Sequence, residues 1–141
     1  MTLNEYFQNP KRFNNKIIVI AAKDEASKNI KEFVCGAKFH LKLNLKYRNS
    51  YVAVIDPKRD FLYEEASASK IECSYKVDDK YIDIVSAGFS CGNVSSIKVG
   101  DNEYSINKTG LNIAIFDYKK LKLIDSFNCD TFSNEELLLV K

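Results

Sequence analysis

The sequence predicts a β-rich α+β domain, and three observations carry that expectation. Aromatic residues make up 12% of the chain, all of them Tyr or Phe, among many Ile and Val, a composition that suits pleated sheet better than a helical bundle. Beyond residue 70 short apolar or alternating runs are divided by turn residues, as in a meander of strands. Before it, helical signals stand at Thr2 and again after Glu25. At 141 residues the chain is the size of one ordinary domain, so residues 1–141 are expected to form a single unit.

Thr2 to Gln8 reads as two helical turns stopped by Asn9-Pro10, with Thr2 as N-cap and Glu5 three residues later in capping-box position. Residues 16–22, KIIVIAA, are apolar enough for a strand buried on both faces. From Glu25 the residues Ala26, Ile30, Phe33 and Val34 recur at helical spacing and Gly36 ends the pattern. The stretch KDEAS, Lys23 to Ser27, is therefore expected to turn a strand into a helix. Leu41, Leu43, Leu45 and Tyr47 alternate with His40, Lys42, Asn44, Lys46 and Arg48, which fits a half-buried strand or an extended loop.

The run Tyr51 to Ile55 predicts another strand, stopped by Asp56-Pro57. Residues 58–69 are polar enough for a connection with one helical turn. Strands follow over 70–77, 81–86 and 94–99, with a turn at Asp78-Asp79 and a glycine-bearing loop at 88–93. Gly100-Asp101 predicts a tight hairpin, Gly110 opens the strand LNIAIFD, and 121–127 supplies a last strand. Ser133-Asn134-Glu135-Glu136 ahead of Leu137 to Val140 is an N-cap signature for a short final helix.

Lysine and arginine number 21 against 19 acids, a net charge of +2. So small an excess makes no broad basic field of the kind that non-specific nucleic-acid binding needs, and no nucleic-acid partner is expected. No segment approaches the roughly 20 apolar residues of a membrane span, and the first residues lack a signal-peptide core. No membrane association is expected, and the chain reads as cytoplasmic. Cys35, Cys73, Cys91 and Cys129 are widely spaced without a CxxC pair, so they read as reduced thiols with no metal role. His40 is the single histidine, and a Cys–His nucleophile would need it beside Cys35 or Cys91.

One long register carries a resemblance. In the block from Ser86 to Ser133, Gly92-Asn93, Gly100-Asp101, Gly110-Leu111-Asn112-Ile113, Asp117, Asp125-Ser126 and Cys129-Asp130-Thr131 occupy the places of a recurrent pattern. That pattern resembles the interleukin-like EMT inducer (ILEI) domain, also called the PANDER or GG domain, with Cys129 where the family usually has Phe. The N-terminal part is similar to the family's second half: Ile17 to Ser27 matches a strand leading into an Asp-Glu-Gly/Ala-Ser corner, and Leu45 to Tyr51 matches a Leu-Gly-φ-Arg-Asp-x-φ segment. Residues 1–56 thus resemble the second half of the domain and residues 70–133 the first. The order is reversed, as in a circular permutation, or as in two chains that exchange halves in a swapped homodimer.

The resemblance implies two packed antiparallel β-sheets, sandwich-like, flanked by short helices. It also implies a non-catalytic carbohydrate-binding or glycan-synthesis accessory module, attached to or serving a glycosyltransferase, with no cofactor. The family's sugar-contacting positions fall on Asp24, Arg48 and Thr109, with Lys108 one residue earlier. A carboxylate accepts sugar hydroxyls, a guanidinium donates a planar fork, and Tyr47 or Tyr51 can cover a sugar face. Two other classes stay open: a cytokine-like protein-interaction module without a sugar ligand, and a small sugar-processing enzyme using Asp24 with Asp117 or Asp125. Asp24 itself has two readings, a helix cap or an exposed acceptor with Glu25 and Ser27 doing the capping.

Overall fold

The computed structural model describes residues 1–29, 33–36, 38–132 and 135–141. The first element is the helix α1, Leu3–Phe7, and it is short because Pro10 follows and starts a 3-10 turn over Pro10–Phe13. The expected capping box is present: Glu5 N–H donates to Thr2 Oγ1 and Thr2 N–H to Glu5 Oε1, each at 3.2 Å. Eleven strands follow in chain order: β1 (Lys16–Asp24), β2 (Phe33–Cys35), β3 (Phe39–Leu41), β4 (Ser50–Asp56), β5 (Phe61–Ser67), β6 (Ile71–Val77), β7 (Lys80–Gly88), β8 (Val94–Val99), β9 (Asn102–Glu103), β10 (Gly110–Asp117) and β11 (Leu123–Cys129). The protein is β-rich with little helix, and β2 and β3 form a separate two-stranded sheet.

The centre of the fold is β1, whose two edges are used differently. One edge pairs antiparallel with β10 from Lys16↔Asp117 to Lys23↔Gly110. The other pairs antiparallel with β4 over Ile18–Ala21 and then parallel with β7 at Lys23↔Ala87 and Asp24↔Gly88. That switch of partner splits the nine-stranded sheet into two wings, β11-β10-β1-β4-β5 and β6-β7-β8-β9. Because side chains alternate along a strand, Ile17, Val19 and Ala21 face one way and join Val52, Val54, Ala114 and Phe116 with Ile71, Val77, Ile82, Ile84 and Ile97 of the second wing. The wings therefore pack face to face through a shared apolar cluster.

The other face of β1, Ile18, Ile20 and Ala22, is covered by Leu3, Tyr6 and Phe7 of α1 together with Phe13, Cys35, Phe39, Leu41 and Leu43. Leu41 and Leu43 are buried while His40, Lys42 and Asn44 are exposed, so the alternation holds over 40–46 although only Phe39–Leu41 is a strand. It fails at the turn that follows, where Tyr47 is exposed and Arg48 half-buried. Among the described residues no helix is long and apolar enough to cross a membrane.

Three expectations are corrected. The helix after Glu25 is not found: residues 25–29 are irregular and Phe33–Cys35 is strand β2, paired with β3, while Ile30 lies outside the described residues. The local groups are spent otherwise, since the Ala26 carbonyl accepts from Thr131 Oγ1 at 2.7 Å and Asn29 N–H donates to the Thr131 carbonyl at 3.1 Å. The connection expected over 58–69 is mostly β5, an edge strand. Its acids mask the pattern, yet Leu62 packs on one core and Tyr63 on the other. The expected final helix is extended: Leu138 bridges Thr2 and Val140 bridges Asn128, while Ser133 and Asn134, its N-cap residues, lie outside the described residues.

Candidate functional site

The point where β1 leaves β4 for β7 gathers four segments. Asp24 ends β1 in the left-handed region at φ 63°, a conformation that Asp tolerates better than most residues. Opposite it stands Gly88, and a Cβ there would lie 2.0 Å from the carbonyl oxygen of Arg48. Only glycine lets the 46–49 turn cross β7 so closely. Gly88 N–H donates to Ser50 Oγ at 3.1 Å, which fixes the start of β4 against the end of β7. Arg48 is also left-handed, at φ 57°. For a non-glycine residue this conformation costs on the order of 1–3 kcal/mol and persists where the surroundings over-determine it.

Glu25 does much of the determining. Its side chain is 4% exposed, and its carboxylate accepts from Ser27 N–H at 2.6 Å, Ser27 Oγ at 2.5 Å and Arg48 N–H at 2.9 Å. Three donors on a buried carboxylate offset the loss of its hydration. Glu25 of KDEAS therefore clamps two loops together and caps no helix.

The fourth segment is the 107–109 loop. Thr109 Oγ1 donates to Asp24 Oδ2 at 3.0 Å, and Lys23 Nζ donates to the Asn107 carbonyl at 3.0 Å. Two buried amides hold this loop from beneath. Asn112 Oδ1 accepts from Lys108 N–H at 3.1 Å, Asn112 Nδ2 donates to the Lys108 carbonyl at 2.9 Å, and Asn128 Nδ2 donates to the Thr109 carbonyl at 3.1 Å. Thr109 thus touches Asp24 directly, while the Lys108 side chain is exposed and makes no polar contact among the described residues.

The Arg48 guanidinium carbon lies 4.8 Å from the Tyr47 ring centroid and 4.1 Å from that of Phe89. Both rings are open to solvent, Tyr47 at 65% and Phe89 at 50%. The sequence gives little signal for Phe89 beyond an aromatic side chain inside the small-residue loop SAGFSCGN.

Tyr51 does not belong to this surface. It is completely buried in the core beneath β5, and its hydroxyl donates to Glu64 Oε2 at 2.7 Å. Burial first, and the Glu64 carboxylate second, push its phenol well above the ordinary range. It is a core residue that holds Glu64, which also accepts from Lys42 N–H and Leu43 N–H.

Asp117 and Asp125 stand far from the corner. Asp117 pairs with Lys16 at the opposite end of β1 from Asp24, which at about 3.3 Å per residue is roughly 25 Å away. Glycosidase pairs need roughly 5–9.5 Å. Asp125 accepts from the Tyr6 hydroxyl at 2.9 Å and pairs with Lys141 at 3.2 Å. In the β2–β3 hairpin Cys35 faces Phe39, and exposed His40 stands opposite Val34. Burial pushes the Cys35 thiol up to about 12, the reverse of what a nucleophile requires.

No family model matches the chain, and neither a curated protein nor a solved structure does.

Proposed function

We propose that this protein is a non-catalytic carbohydrate-binding module whose ligand seats on the corner formed by Asp24, Thr109, Arg48, Tyr47 and Phe89. The observation that carries the reading is the state of Arg48. It is a half-buried cation beside two exposed rings, with no carboxylate partner for its guanidinium among the described residues. Sugar recognition calls for this combination: an aromatic surface for the apolar face of the ring, a guanidinium that donates, and a carboxylate that accepts from hydroxyls. Asp24 supplies the last, with Thr109 holding one of its oxygens.

The ILEI-type resemblance of the sequence supports the same reading, because its sugar-contacting positions fall on the three segments gathered at this corner. The permuted order of the halves is supported by the neighbouring ends: Leu139 N–H donates to the Met1 carbonyl at 3.0 Å and Leu3 N–H to the Leu137 carbonyl at 2.8 Å. Service to a glycosyltransferase or another glycan-assembly protein is the role that the resemblance suggests. Four unpaired thiols suit a reducing compartment, which supports a cytoplasmic setting. The second reading is a protein-interaction module, favoured by the same exposed Tyr, Phe and Arg, side chains that also anchor protein interfaces.

A glycan array followed by NMR titration tests the choice. Saturable binding of a mono- or disaccharide is expected for the wild type and for Tyr51→Phe. It should be lost in a folded Asp24→Ala, Arg48→Ala double variant. Equal binding by that double variant, or no binding by the wild type at millimolar sugar, would sink the reading.

A further inference from the structure

The donors of Arg48 define what kind of sugar fits. A guanidinium carries five N–H donors and no acceptor. An aromatic ring attracts the cation but satisfies none of those donors as an anion would. Arg48 makes one hydrogen bond among the described residues, from its backbone N–H to Glu25, and none from its guanidinium. Its neighbours do not neutralise it. Glu25 is buried and already accepts three donors. Asp24 accepts from Thr109 Oγ1 and is not paired with the guanidinium, and the remaining charged groups of the four segments, Lys23, Lys46 and Lys108, are cations. Lys23 is directed to a carbonyl of the 107–109 loop, while Lys46 and Lys108 are exposed.

Within these four segments four cations stand against two carboxylates, one of them buried, in a chain whose net charge is only +2. A neutral sugar would leave that excess in place and use the guanidinium through single hydroxyl contacts. A carboxylate offers two coplanar oxygens at the spacing of two guanidinium N–H groups, the bidentate pairing that Arg makes best.

We propose that the ligand is an acidic sugar, a uronic acid unit. Its carboxylate is taken by the Arg48 fork while its ring hydroxyls reach Asp24 and its ring lies toward Tyr47 and Phe89. The inference rests on the sugar-binding reading above. A uronate is favoured over a sulfate or phosphate ester because its carboxyl carbon is bonded directly to the ring. The charged group and the ring can then sit beside Arg48 and the two aromatic side chains at once. A uronate also brings a single charge near Asp24, where a phosphate would bring nearly two.

NMR titrations with methyl glucuronide, methyl glucoside and glucose 6-sulfate separate the possibilities. The expected result is glucuronide binding about tenfold or more tighter than glucoside, the scale of a charge-assisted bidentate pair over a neutral contact, and tighter than the sulfate ester. Raising salt to about 0.5 M should shrink that preference. Arg48→Gln should erase it while thermal melting stays unchanged, Arg48→Lys should restore only part of it, and Asp24→Asn should weaken both methyl glycosides alike. Equal affinity for glucuronide and glucoside would overturn the acidic-ligand inference and leave the sugar reading standing. Preference for the sulfate ester would overturn it as well. No binding of any of the three would remove both.

Discussion

Glu25 shows how much a single residue's role depends on what folds over it. In the sequence it stands beside Asp24 ahead of a helical pattern, and either acid could cap a helix. In the fold its buried carboxylate is the acceptor for Ser27 and for the backbone of Arg48, a residue 23 positions away. Glu25→Ala leaves those donors unpaired, and unpaired buried donors cost about 1–3 kcal/mol each. Urea denaturation should show a loss of about 2 kcal/mol or more, with a smaller loss for Glu25→Gln, which keeps one oxygen. An unchanged midpoint for Glu25→Ala would mean that the clamp does not form. Asp24 and Arg48 stand out in the sequence as candidates because their types carry the chemistry. Phe89 does not, because its approach to Arg48 depends on Gly88 letting two backbones cross, a long-range contact with no periodic signature.

At the scale of elements, local signals succeeded where local groups answer one another. Thr2 with Glu5 makes a capping box, Gly100-Asp101 turns β8 into β9, and Asp56-Pro57 ends β4. They failed where tertiary pairing outweighed propensity. Helical spacing after Glu25 yields to the β2–β3 hairpin, whose Gly36 N–H donates to the Phe7 carbonyl at 2.6 Å. The capping signature before Leu137 yields to pairing of the tail with Asn128 and with the first residues, since an isolated helix of two turns is marginal in water. The crossing at Gly88 gives the clearest test of element packing. Gly88→Ala drives a Cβ to 2.0 Å from the Arg48 carbonyl oxygen, so one backbone must move. A loss of about 3 kcal/mol and displaced backbone resonances for residues 46–49 are expected. A wild-type melting curve would show that the 46–49 turn does not lie there.

Across the whole molecule the ends meet beside β11, so the order of the two halves should matter little to the folded state. A chain with Lys141 joined to Met1 through a short Gly-Ser linker and opened in the exposed stretch Ala68–Lys70 is expected to fold as a monomer and melt within a few degrees of the parent. Failure to fold, or folding only as a dimer, would favour exchange of halves between chains. Stability should also fall on the alkaline side. Burial raises the Cys35 and Cys129 thiols to about 12 from an ordinary 9, so the folded state holds protons that the unfolded chain releases. The contribution of these thiols is complete below about pH 9 and is lost as pH rises toward 12. Denaturation midpoints measured from pH 8 to 11 should decline, and the decline should lessen in a Cys35→Ala, Cys129→Ala variant. The proposed ligand site is the corner where β1 changes partners, and an amide chemical-shift map of the wild type titrated with methyl glucuronide tests it. Saturable shifts confined to residues 23–25, 46–49, 88–93 and 107–110 are the result expected. Shifts clustered elsewhere, or none at millimolar ligand, would contradict a ligand site at that corner.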